Sequence, residues 1–227
     1  MNLRLNALAK MVDPGSRVAD IGTDHAYLPI KLVADQVIDY AIASDVAQGP
    51  LENAIEDIRQ AGFQNKIEAR LGNGLATVKP SDQIDTVVIA GMGGKLMCQI
   101  LQAAWDQNMK FETLILEPNI SEPRVRQWLV DHNYQIVDEG LLFEADHSYE
   151  LIKAKKAIQR VELTEKEILF GPHILQNRNE AFQQKWQNQL QYYRNLVINL
   201  NKAQNKDETK IALLEKQIVM IEEVLEK

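Results

Sequence analysis

Asp20 closes the apolar run Val18-Ala19-Asp20-Ile21, Gly22 follows, and a helical pattern begins near His25. A carboxylate at a strand end, a glycine that admits close backbone approach and a helix whose positive end points back at both make a nucleotide-type cofactor site. A dinucleotide site would carry G-x-G-x-x-G, but Asp24 stands where the next glycine belongs and neither Ala26 nor its neighbours supply another. A second carboxylate there repels a pyrophosphate and suits a cationic ligand. S-adenosylmethionine, with its sulfonium and amino group both positive, fits that description.

Other segments repeat the theme. Asp45 closes Ala43-Ser44-Asp45-Val46 roughly twenty residues after Gly22, the place where an acid binds ribose hydroxyls in Rossmann-like folds; a helix cap is the plainer reading of the same residue. Gly72-Asn73-Gly74 offers an amide whose donor and acceptor match an adenine edge, or else a simple turn. Ala90-Gly91-Met92-Gly93-Gly94-Lys95 places glycines at a strand end, so that the backbone there approaches a ligand closely. It is not a P-loop, because the spacing and the final hydroxyl residue are both wrong. It also lacks the Asn- or Asp-Pro-Pro-aromatic signature of many amino-methylating enzymes, which counts against exocyclic N6 methylation. Glu117-Pro118-Asn119 and Asp146-His147-Ser148-Tyr149-Glu150 complete the set, and topology aims both at the same cleft. His147 alone reads more readily as a surface residue than as a catalyst, and packing explains His25 and Tyr27 as well as chemistry does. No nucleophile elbow supports Ser-His-Asp chemistry.

The elements that must position these residues alternate between strand and helix patterns from Arg17 to Lys156, the signature of a mainly parallel sheet covered by helices. Strands are expected over 17–21, 40–45, 66–71, 85–90, 113–117, 135–143 and 149–155, with helices over 47–61, 95–105 and 122–132. Only five residues separate the last two strands, too few for a helical crossover, so they should pair antiparallel. Beyond Lys156 the texture becomes rich in Gln, Asn, Lys and Glu. Ile174, Trp186, Leu190, Tyr193, Leu196, Val197 and Leu200 can form one helical stripe, and Ile211, Leu214, Ile218, Ile221 and Leu225 a second. Asp207 is a candidate N-cap between them. A projecting coiled-coil hairpin is expected, against the alternative of two helices laid on the sheet. The fold class is therefore α/β, a Rossmann-like S-adenosylmethionine-dependent methyltransferase sheet (1–158) with a C-terminal helical coiled-coil domain (159–227).

Composition agrees. Apolar residues make up 45% and charged residues 25% of the chain, ordinary for a globular protein, and the net charge of −7 excludes a basic nucleic-acid coat while leaving room for a local basic patch. The single cysteine, Cys98, makes no internal disulfide, and no Cys/His cluster has metal-ligand spacing. No metal is expected. With neither a signal-peptide core nor a transmembrane-length apolar run, a cytoplasmic protein without membrane contact is expected.

Asp-Ile-Gly-Thr-Asp-His-Ala-Tyr-Leu-Pro, Ile-Ala-Gly-Met-Gly-Gly, Glu-Pro-Asn and His-Ser-Tyr-Glu, in this order, resemble the bacterial tRNA (adenine-N1)-methyltransferases that act at position 22 in the D-arm, the TrmK family. The resemblance spans the whole chain and implies S-adenosylmethionine as cofactor, tRNA as partner and a monomer. On that basis Asp24, Tyr27, Glu117, Asn119 and Tyr149 are the candidate catalytic residues. Asn119 and the backbone at Gly91 and Met92 would hold the exocyclic amine, Tyr27 or Tyr149 would stack on the ring, and Asp24 or Glu117 would stabilise its developing charge. Glu117 departs from the Gln usual at that place in the family, which leaves its part open. Asp20, Gly22, His25, Asp45, Val46, Gly72, Asn73, Gly74, Ala90, Gly91 and Met92 are the candidate cofactor ligands. A basic track for tRNA phosphates is expected from Arg124, Arg126, Lys153, Lys155, Lys156, Arg160, Arg178 and Lys185. The rivals are a methyltransferase of another RNA, a protein amine or a small molecule, and a non-catalytic nucleotide-binding scaffold that dimerises through its tail.

Overall fold

The computed structural model describes residues 3–145, 147–203 and 205–226. A short helix, α1 (Leu3–Met11), precedes the alternating elements β1 (Arg17–Ile21), α2 (Tyr27–Ala34), β2 (Tyr40–Asp45), α3 (Gln48–Ala61), β3 (Ile67–Leu71), β4 (Thr86–Gly93), α4 (Gly94–Asp106), β5 (Thr113–Ile120), α5 (Glu122–Asp131), β6 (Tyr134–Glu144) and β7 (His147–Lys156). Four helices follow: α6 (Glu165–Phe170), α7 (Pro172–Gln176), α8 (Glu180–Lys202) and α9 (Glu208–Leu225). The seven strands form one sheet in the order β3-β2-β1-β4-β5-β7-β6, parallel except for β7, which runs antiparallel to both β5 and β6. The expected hairpin is thus present.

The strands read as near-continuous apolar runs because helices cover both faces of a parallel sheet. Val87, Ile89, Leu114 and Leu116 face one layer with Met97, Leu101, Val125 and Leu129. Val18, Ala41, Val88 and Ile115 face the other with Leu8, Leu32 and Ile58. The strand order reverses between β1 and β4, and a crevice opens at the carboxyl ends of the strands at such a switch point.

A third core joins the C-terminal helices to the sheet. Leu169, Phe170, Ile174, Phe182, Trp186, Ile221 and Val224 pack together with Leu141 of β6. Thr164 caps α6 in a reciprocal box with Glu167, Asn179 caps α8 and Asp207 caps α9 as expected. The Arg194–Glu222 ion pair shows α9 returning along α8. From Gln191 outward no residue of α8 is buried, so the anchorage lies at the helix root.

Candidate functional site

Gly22 is the pivot of the crevice. It turns at φ +80°, its N–H donates to the carbonyl of Ser44 at 2.8 Å, and a Cβ built on it would lie 2.1 Å from Cε of Met92. Only glycine suits that position. Two hollows meet there. One, about 110 Å³, is bounded by Asp45, Val46, Gly72, Asn73, Gly74 and Met92. The other, about 280 Å³, is bounded by Arg4, Asp20, Asp24, His25, Tyr27 and Ala90. All the candidate cofactor residues but Gly91 thus border one hollow or the other, although they come from the ends of four strands.

The electrostatics of the larger hollow favour a cation. Burial pushes the Asp20 carboxyl up to about 6, against a lowering hydrogen bond from Thr23. A positive group beside it would restore the charged form. Asp45 is half-exposed and accepts from the N–H of Ala47 at 2.7 Å, a local turn contact rather than the helix cap that the sequence allowed, since Ala47 is itself the N-cap of α3 and no side chain caps that helix; Asp45 also borders the smaller hollow. His25 is held by Asp57 at 2.7 Å and stacks on Tyr27 with centroids 4.8 Å apart, leaving Tyr27 half-exposed. Asp24 is exposed beside them.

At the ends of β4 and β5 the register slips, so that Ala90 and Met92 pair with Glu117 and Pro118 while Gly91 bulges out at φ +76°. Asn119 donates from Nδ2 to the Gly91 carbonyl at 2.8 Å. Glu117, fully buried, accepts from the Gly91 N–H at 3.0 Å and from Nη1 of Arg4 at 2.7 Å. Of the two carboxylates expected as alternatives for stabilising the ring's charge, Glu117 is the one engaged elsewhere. Its carboxylate is turned inward onto Arg4 and braces the bulge. Burial still raises its pKa, with Arg4 opposing, and Oε1 has no partner among the described residues. Tyr149 is half-buried with the Arg4 guanidinium 5.4 Å over its ring. His147 is exposed and bonded to the carbonyl of Ala145, while Asp146 lies outside the described residues.

Arg4 is the residue that sequence reasoning missed. Leu5, Leu8, Ala9 and Val12 have helical spacing and could have signalled α1, but nothing local could say that Arg4 meets a carboxylate 113 positions away.

The expected basic track does not form. Arg126 is wholly buried between Glu139, at 2.8 Å, and Glu150. Lys185 is almost as buried, paired with Glu122 and, at 2.7 Å, with Glu150. Neither can meet a phosphate. Burial opposes the charge on Glu150, but Arg126 and Lys185 outweigh it and hold its pKa below the ordinary value. Lys153 and Lys155 both engage Asp13, at 2.6 and 2.9 Å. They and Lys156 lie at the far end of β7, where Lys155 pairs with Thr113 at the start of β5, so the antiparallel course of β7 carries them away from the crevice. Arg160 is exposed and paired with Glu162, and Arg178 donates to the carbonyl of Val224 at the end of α9. Arg124 alone of the eight is exposed close to the crevice edge.

Comparison with known proteins agrees with this architecture. The family model described as tRNA (adenine(22)-N(1))-methyltransferase, TrmK, matches residues 18–223. The chain is 33% identical over 220 residues to the tRNA (adenine(22)-N(1))-methyltransferase of Bacillus subtilis, covering 95% of this chain and 92% of that one. A Streptococcus pneumoniae protein solved in complex with S-adenosyl-L-methionine superposes with a TM-score of 0.89 at 36% identity, covering 99% of each chain. M. capricolum TrmK, solved with S-adenosyl-homocysteine, superposes with a TM-score of 0.87 at 33% identity, covering 100% of this chain and 98% of that one. A crevice at the sheet's switch point, an acidic hollow beside Gly22 and a match along nearly the whole chain lead to one conclusion: the chain belongs to the TrmK family of tRNA (adenine(22)-N(1))-methyltransferases.

Proposed function

We propose that this chain transfers a methyl group from S-adenosylmethionine to N1 of adenine 22 in the D-arm of tRNA. The observation that carries the reading is the Asn119–Gly91 bridge, set on the same edge of the sheet as the acidic hollow of Asp20 and Gly22. When bound, S-adenosylmethionine supplies an electrophilic methyl group on a good leaving group. The residues present fit it. Asp20 offers a buried carboxylate to a positive group, Asp45 stands where ribose hydroxyls are held, and Val46, Asn73 and Met92 line the smaller hollow that would take an adenine ring.

Adenine N1 already carries a lone pair, so no general base is required, and alignment supplies most of the acceleration. Asn119 commits Nδ2 to Gly91, which leaves Oδ1 to accept from the exocyclic amine and fixes which edge of the ring faces the cofactor. Tyr27, backed by His25, presents an exposed ring face for stacking. Asp24 stands exposed next to it, where a carboxylate stabilises positive charge developing on the ring. N1 of a paired adenine is hidden, so the base must be turned out of its stack to reach this place. The division of labour follows 1–158 and 159–227: a cytoplasmic monomer whose catalytic unit does the chemistry and whose α8–α9 pair, as a coiled-coil hairpin, holds the tRNA.

The test is transfer of a labelled methyl group from S-adenosylmethionine to bulk bacterial tRNA, followed by mass analysis of the nucleosides. Label in 1-methyladenosine is expected. Label in N6-methyladenosine, or none in tRNA, overturns the reading.

A further inference from the structure

We propose that the hollow between the end of β5 and α8 is a second nucleotide subsite, which takes a nucleotide of the substrate RNA adjacent to the target adenine. The inference rests on the tRNA-methylating reading above. The hollow measures about 540 Å³, within the range of about 300–1,000 Å³ usual for ligand pockets. Asn119, Ile120 and Arg124 form one wall, and Trp186, Tyr192 and Tyr193 the other. Asn119 therefore borders both the target-base position and this hollow.

The chemistry of the walls is that of single-stranded nucleic-acid binding, where bases stack on aromatic side chains beside a cation that meets the backbone. Tyr192 is 59% and Ile120 65% exposed, and the rings of Tyr192 and Tyr193 lie 6.0 Å apart. Arg124 is exposed and has no ion pair among the described residues, unlike Lys185 and Arg194. The acidic groups on the wall are largely compensated, Glu122 and Glu150 by Lys185 and Glu150 also by Arg126, so the exposed charge that a phosphate meets first is Arg124. Trp186 adds an indole Nε1–H that is buried without an acceptor among the described residues. Turning one base out of a stack leaves its neighbour without a stacking partner. An aromatic platform one nucleotide away would take that neighbour and hold the strand open.

The experiment is single-turnover methyl transfer with the full-length chain, at saturating S-adenosylmethionine and varied tRNA concentration. Tyr192→Ala is expected to raise the half-saturating tRNA concentration about tenfold, the effect on the order of one lost base–aromatic stack. The maximal rate should stay within about twofold, with cofactor affinity and melting temperature unchanged. Tyr192→Phe should recover most of the loss. Arg124→Ala should weaken binding and reduce the salt slope by about one phosphate contact. Unchanged tRNA affinity in both alanine variants overturns the subsite, and a Tyr192→Phe loss as large as that of Tyr192→Ala overturns stacking. If the unaltered chain methylates no tRNA, the functional reading falls and the subsite with it, a result distinct from normal methylation that is insensitive to Tyr192 and Arg124.

Discussion

Asn119 and Gly91 are joined by a 2.8 Å hydrogen bond across the ends of β5 and β4, and the same glycine is held from its N–H by Glu117. One bulged residue is thereby gripped on both its polar groups, and the Asn119 amide is oriented before any substrate arrives. Asn119→Ala is expected to lower the single-turnover rate constant about tenfold or more, the effect of losing one hydrogen bond aimed at the reacting base. Binding of S-adenosylmethionine, measured by calorimetry, should not change. An unaltered rate constant would remove Asn119 from the proposed machinery.

Arg4 reaches the same bulge through Glu117. Arg4→Met removes the counter-charge of a buried carboxylate whose pKa burial already raises, so Glu117 is expected to take up a proton and loosen Gly91. The result to look for is a pH profile for methyl transfer that acquires a new dependence above the ordinary carboxylate range, with Arg4→Lys retaining much of the original profile. A profile identical to that of the unaltered chain would show that Arg4 only packs.

Asp20 makes the cofactor hollow sensitive to pH. Its folded-state pKa of about 6 lies above the ordinary 3.8, so the ligand-free fold binds this proton more tightly than the unfolded chain does. Stability contributed by the protonated group is present below about pH 4 and is lost as pH rises towards 6, by up to about 3 kcal/mol. A cationic ligand favours the ionised form, so affinity for S-adenosylmethionine should rise between pH 5 and 7 with proton release. Calorimetry in buffers of different ionisation enthalpy measures this, and Asp20→Asn should abolish the proton release.

Gly22→Ala should abolish cofactor binding and lower the melting temperature. It forces a side chain into a left-handed conformation, and its Cβ would push the flexible end of Met92 aside from a position 2.1 Å away. Adding Met92→Ala relieves the contact but not the backbone strain, so the double variant is expected to regain stability only in part.

Arg126→Met should cost about 3–5 kcal/mol of stability, because it leaves Glu139 and Glu150 buried with half their compensation gone. The cluster also dictates where the tail can be cut. Truncation after Arg160 would uncover Leu141 and the acids along with the tail. Replacing 197–219 by a short Gly-Ser turn removes matched lengths of the two helices, because Arg194 lies opposite Glu222, and spares the root core of Phe182, Trp186 and Val224. That shortened chain should melt like the original and bind S-adenosylmethionine normally, but bind tRNA at least tenfold more weakly. Equal tRNA affinity would remove the outer α8–α9 pair from the reading.

The sequence by itself determined the strands of the sheet and the edge on which ligands meet. Apolar runs ending in Asp20, Asp45, Gly91 and Glu117-Pro118-Asn119 announce parallel strands with polar residues at their carboxyl ends, and a five-residue gap forces the last pair antiparallel. Such signals are local, set by the period of side-chain burial and by chain reach. What only the tertiary structure decided is which charges are available. Arg126 and Lys185 read as surface cations, yet they lie buried among Glu122, Glu139 and Glu150, because α5, β6, β7 and the root of α8 converge there. Lys155 and Lys156 lie away from the crevice because β7 runs against β5. Arg4 enters the site from a helix with no motif of its own. Pairing between distant carboxylates and cations depends on which elements pack side by side, and no spacing within one segment encodes it.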